Sequence, residues 1–123
     1  RLSEELRIRC KGYASKVVQF YAALPTGKKE IAVLGLKLLR SGTSVAAHSR
    51  EASRARSTAE FCSKLNGLLQ EADESHLWLE LLNEDCGLQN KEIIFLLQET
   101  SELLAIFTTI VSKSRMHEKK TSL

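Results

Sequence analysis

Leu38-Leu39-Arg40-Ser41-Gly42-Thr43-Ser44-Val45-Ala46-Ala47-His48-Ser49-Arg50-Glu51-Ala52 decides how the chain is read. Leu38, Val45 and Ala52 recur at intervals of seven, with Ser41 and His48 in the gaps, which is the repeat of a packed helix. Beside that seam Gly35, Gly42, Ala46, Ser49 and Ser53 strip a second face down to small side chains. Gly42 and β-branched Thr43 are poor helix formers on propensity alone. They suit a helix that another backbone approaches closely, or one that bends. Arg40, Arg50 and Arg54 fall outside the small-residue face, and Arg50 and Arg54, four apart, are surface neighbours.

Outward from this stretch the spacing predicts a helix over about residues 28–54, with Ile31 and Leu34 continuing its seam. Leu24-Pro25-Thr26-Gly27 breaks the chain before it, because proline removes a donor and disfavours helix in the residue it follows. A first helix, about 3–24, carries Leu6, Cys10, Tyr13, Val17, Phe20 and Leu24 on one stripe, behind Ser3 as N-cap. Gly12 is a candidate close contact within it. Ser57 followed by Glu60 is a capping-box pattern that opens a third helix reaching about residue 85. Its stripe is Phe61, Leu65, Leu68, Ala72, Ser75, Leu79 and Leu82, widened by Leu69, Trp78 and Leu81. Gly87 ends the next break. A fourth helix, about 91–115, has the stripe Ile93, Leu97, Thr100, Leu104, Phe107 and Val111, with Ile94, Phe95, Leu96, Leu103 and Ile110 around it. Short loops between four such helices imply an all-α, antiparallel up-down-up-down four-helix bundle. Residues 1–115 form the single domain, and 116–123 read as a flexible polar tail.

The totals agree. The chain has 123 residues, 43% apolar, with one Pro and six Gly, which suits one ordered domain. No uninterrupted apolar run approaches the roughly 18–20 residues of a membrane span, so no membrane partner is expected. Cys10, Cys62 and Cys86 lack C-x-x-C spacing and read as reduced, buried thiols of a cytoplasmic protein. Asp73-Glu74-Ser75-His76 occurs once and has no partner motif for a bundle metal site. His48 and His76 could face each other across the second and third helices, but neither sits in a ligand pattern. A nucleophile with an oriented base and a glycine-rich phosphate loop are both missing from the pattern, so no enzyme, metal or cofactor is expected.

Charge is sharply divided. Residues 1–56 hold 12 Lys/Arg and 4 Asp/Glu; residues 57–112 hold 2 and 10. The acidic half can neutralise the basic half within one subunit or on the next subunit of an oligomer. Arg7, Arg9, Lys11, Lys37, Arg40, Arg50, Arg54 and Arg56, with Lys16, are candidates for a phosphate-binding face on the first two helices. The apolar arcs of the last two helices exceed one core, which makes Leu39, Trp78, Leu81, Ile94 and Phe95 candidate interface residues in a head-to-tail homo-oligomer.

Lys37-Leu38-Leu39-Arg40-Ser41-Gly42-Thr43-Ser44 with Arg50-Glu51-Ala52 resembles the signature of the 23S rRNA intervening-sequence protein family. The likeness continues through Ser57, Phe61, Lys64-Leu65, Glu71-Ala72 and Trp78-Leu79-Glu80-Leu81-Leu82, and on to Leu97, Glu99, Glu102 and Leu103. Where that family has Gly-Ala-Asn, this chain has Ala46-Ala47-His48. The resemblance implies a bacterial four-helix bundle. It also implies a homo-oligomer, a pentameric ring like the similar accessory variability determinant of diversity-generating retroelements, a basic barrel serving a reverse transcriptase and its RNA. Most members of the family have no established function.

Two readings follow. In one, a non-enzymatic ring binds nucleic acid, RNA ahead of DNA, through its arginines. In the other, the bundle is a protein-interaction scaffold and the arginines pair with acidic helices.

Overall fold

The structure, a computed structural model, describes residues 2–122. Four helices follow one another: α1 (Glu4–Ala22), α2 (Lys29–Ser53), α3 (Thr58–Glu84) and α4 (Lys91–Ser122), with no strand among the described residues. They form the expected four-helix bundle. Ser3 caps α1 by accepting from the Leu6 N–H at 3.2 Å, and Ser57 caps α3 by accepting from the Glu60 N–H at 3.1 Å. Asn90 caps α4 through Ile93 N–H at 2.9 Å, a cap sequence reasoning had left inside a loop. α1 stops two residues earlier than the stripe suggests, since Pro25 disfavours helix at Leu24 and Gly27 then turns with φ 96°.

Cross-helix contacts give the order and direction. Val17 lies against Gly42 and Tyr21 against Gly35; Ser41 meets Ser75, and Lys37 meets Trp78. Arg9 meets Glu99 and Glu102, and Lys16 meets Phe95. In each pair of helices the contacts rise along one and fall along the other, so these neighbours run antiparallel. The seam between α1 and α4 is the sparsest of the four.

The stripes of α1, α2 and α3 are buried as expected, with Leu6, Leu24, Leu34 and His48 only half-buried. On α4 the stripe is different. Leu96 and Leu103 are buried, while Leu97 and Leu104 are half-buried at its edge. Leu96-Leu97 and Leu103-Leu104 are both apolar, so periodicity alone could not choose between two stripes one residue apart. α4 is also long and apolar enough to cross a bilayer by length and composition, with a mean hydropathy of 1.5 over its most apolar window. Its core-facing positions, Ile93 to Val111, are closed over by the bundle, and the excess lies outside as Ile94 and Phe95.

At mid-height each helix contributes one hydroxyl to the core. Tyr13 and Thr100 share a hydrogen bond of 2.6 Å, Ser41 and Ser75 one of 2.7 Å, and Thr100 also donates to the Leu96 carbonyl at 2.6 Å. Burial pushes the Tyr13 pKa up, against the hydrogen bonds of Thr100 and Ser75. All four residues are buried and none is left unsatisfied, as the cost of an orphaned polar group requires.

The small-residue face of α2 receives α1. A Cβ added at Gly42 would stand 2.9 Å from both Val17 methyls. Gly12 behaves oppositely: the close contact expected of it is not formed, because it is exposed with nothing within 4 Å of an added Cβ. Gly12→Ala is therefore expected to stabilise the chain by about 0.5–1 kcal/mol, read as a rise of about 2–5 °C in the thermal midpoint.

The boundary drawn at 115 does not end α4, whose helical backbone continues to Ser122. Polarity suggested a tail, but Met116 to Lys120 contain neither Gly nor Pro and include good helix formers.

Candidate nucleic-acid interface

Antiparallel packing brings the start of α1 beside the end of α2. Arg7, one turn into α1, joins Arg50 and Arg54 around a shallow concavity of about 420 Å³ based on Leu2 and Ser53. Among the described residues, none that lines it is a carboxylate. Arg50 lies in the last turn of α2 and Arg54 is its C-cap, where the negative end of the helix dipole favours cations. Ser53 turns its hydroxyl inward to the Ser49 carbonyl at 2.8 Å, which leaves the arginines outermost.

The other candidate basic residues are placed differently. Arg9 Nε and Nη2 grip both oxygens of Glu99 at 2.8 and 2.7 Å, and Nη2 reaches Glu102 at 2.9 Å. Hydrogen bonding to Glu99 raises the Arg9 pKa, outweighing partial desolvation, with Glu102 adding to the effect. Hydrogen bonds from Gln98 and then Arg9 lower the Glu102 pKa. Arg56 lies 3.7 Å from Glu60. The Lys37 ammonium sits 5.2 Å from the Trp78 ring centroid, and Arg40 lines a small hollow with Glu71 and Glu74. Lys11 is exposed on α1 one turn beyond Arg7 and does not line the concavity. Sequence spacing singled out all eight side chains but could not show that only Arg7, Arg50 and Arg54 converge. Antiparallel pairing of α1 and α2 was expected; the register that sets residue 7 beside residues 50 and 54 was the missing step.

The model of the family described as 23S rRNA-intervening sequence protein matches residues 5–109. The chain belongs to that family. Among solved structures, the chain is similar to a crystal structure from Bacteroides thetaiotaomicron, described as a protein with unknown function from the S23 ribosomal protein family. The two share 33% identity and a TM-score of 0.77, over 85% of this chain and 96% of the other. No curated protein matches the chain. Neither the family nor the solved neighbour carries a described enzymatic activity.

The two candidate histidines, His48 and His76, are placed apart and do not face each other. The His48 ring covers Gly67 and its Nδ1 lies 3.1 Å from Glu51, whereas His76 turns toward α4, 3.2 Å from Ser101 and 3.3 Å from Glu80. Gly67 and His76 are nine residues apart, roughly 13 Å along α3, so the two rings occupy different levels. Among the described residues no group of three His, Cys, Asp or Glu could hold a metal ion. Cys10 is buried, and desolvation pushes its thiol up to about 11, well away from a reactive thiolate. Of the five candidate interface residues, Ile94 and Phe95 are exposed, while Leu39, Trp78 and Leu81 are half-buried. Ile8, Val18, Val33, Leu36 and Leu77 are exposed as well, and sequence reasoning did not single them out.

Proposed function

We propose that this chain is a non-enzymatic, oligomeric bundle that binds nucleic acid, RNA ahead of DNA, through an arginine-rich face on α1 and α2. One observation carries the reading: Arg7, Arg50 and Arg54 meet around one concavity with no carboxylate among the described residues that line it. Phosphate recognition needs clustered, accessible guanidinium groups, and their release of counterions makes the affinity depend on salt. Lys11 extends the basic surface along α1.

Oligomerisation belongs to the same proposal. The basic side exposes Ile8, Val18, Val33 and Leu36; the acidic side exposes Leu77, Ile94 and Phe95. Opposite charge and matching apolar residues suit head-to-tail contact, which closes into a ring. Resemblance to the retroelement barrel makes that ring a pentamer, located in the cytoplasm and serving a reverse transcriptase or another RNA-handling partner, with no membrane.

The second reading, a scaffold whose arginines serve only protein contacts, has its own support in Arg9, which is held by Glu99 and Glu102 of α4. A mobility-shift titration in salt, run on the intact chain and on Arg50→Glu/Arg54→Glu, separates the two. The first reading expects binding that weakens steadily with salt and fails in the variant, with the oligomer intact by light scattering. Disassembly of the variant, or no binding by the intact chain at low salt, overturns it.

A further inference from the structure

At the end of the bundle opposite the arginine cluster, α1 and α4 part to leave a cleft of about 530 Å³. It forms because their shared seam is the sparsest in the fold, and because Pro25 and Leu88, from the two loops at that end, close it off. Phe20 and Leu96 are among its apolar lining residues, and both are buried in the core. Phe95 lines it as well, with the Lys16 ammonium 5.0 Å from the ring centroid. Lys91 also borders the cleft, and among the described residues Glu92 is the one carboxylate in its lining.

The volume lies within the roughly 300–1,000 Å³ of sites that hold small molecules. One turn of a helix, about 10–12 Å wide and 5.4 Å tall, already fills roughly 420–610 Å³. The cleft therefore has room for a small molecule but for scarcely one turn of another chain. Its lining is mainly apolar, and cations outnumber anions among the charged groups. The N-terminus of α4 adds positive potential of the same sign, but only as a secondary contribution.

We propose that this cleft binds a small amphipathic carboxylate. Its apolar chain or ring lies over Phe20, Leu24 and Leu96, and its acid group is held by Lys16 and Lys91. The site is independent of the arginine cluster, so it stands or falls separately from nucleic-acid binding.

Calorimetric titration of the intact chain with decanoate tests this. Saturable binding at one molecule per chain is expected. Lys16→Met/Lys91→Met should weaken it by about tenfold or more, as loss of charge-assisted contacts does. Ala23→Trp changes an exposed residue on the cleft wall, so the fold should survive while the added ring fills the space and abolishes binding. Absence of saturable binding to the intact chain overturns the proposal, as does binding unchanged in the lysine variant. Dissociation of the oligomer by Ala23→Trp would make the cleft a subunit contact and overturn it too.

Discussion

Replacing Arg7, Arg50 and Arg54 together by glutamine is expected to weaken binding to single-stranded RNA about a hundredfold near 0.1 M salt. Each phosphate neutralised on a single strand contributes about 0.7 to the slope of log affinity against log salt. Three contacts therefore contribute about 2, so the slope should flatten by about 2 as the affinity falls. The measurement is a set of mobility-shift isotherms across salt concentrations for both proteins. Arg9→Gln is the matched control. Its guanidinium is already committed to Glu99 and Glu102, so its loss should lower the unfolding midpoint and leave the RNA isotherm essentially unchanged. A triple variant that keeps the original slope would remove the cluster from the binding surface.

The second large effect concerns the tight packing of α2 against α1 at Gly42. Gly42→Ala would add a Cβ 2.9 Å from both methyls of Val17, a side chain with no exposed surface. Helix propensity alone would reward the change by about 1 kcal/mol. Overpacking a core costs about 1–3 kcal/mol and should outweigh that gain, because β-branched Val17 has little rotamer freedom with which to yield. Gly42→Leu, which cannot be accommodated by small shifts, should cost more and could prevent folding. Denaturant melts of Gly42→Ala, Val17→Ala and the pair close a double-mutant cycle. The paired variant is expected to be more stable than the two single effects predict, by about 0.5–3 kcal/mol, as for residues in direct contact. Simple additivity would mean that Val17 is not the obstacle.

Much of this architecture could be read before any coordinates. The stripes read on α1, α2 and α3 are the sides that face the core, although Ile8, Val18, Val33, Leu36 and Leu77 leave further apolar residues outside. α4 defeated the same reasoning because Leu96-Leu97 and Leu103-Leu104 offer two adjacent stripes, and only packing against α3 and α1 selects between them. The small face of α2 was legible as a site of close approach, whereas Gly12 looked the same in sequence and turned out to face solvent. The basic residues were visible as a list but not as a surface. Whether an arginine is available depends on the carboxylate opposite it on another helix, as Glu99 is for Arg9, and that is a relation between distant positions which composition does not encode.

The inner hydroxyl layer bears on how such bundles diversify. Sliding one helix past its neighbours by a turn, about 5.4 Å, would separate Tyr13 from Thr100 or Ser41 from Ser75 and strand polar atoms in oil. Alignment is thus locked from within. Exterior charges are then free to drift over generations without putting the scaffold out of step, so one set of rods can acquire new binding preferences simply by repainting its outside.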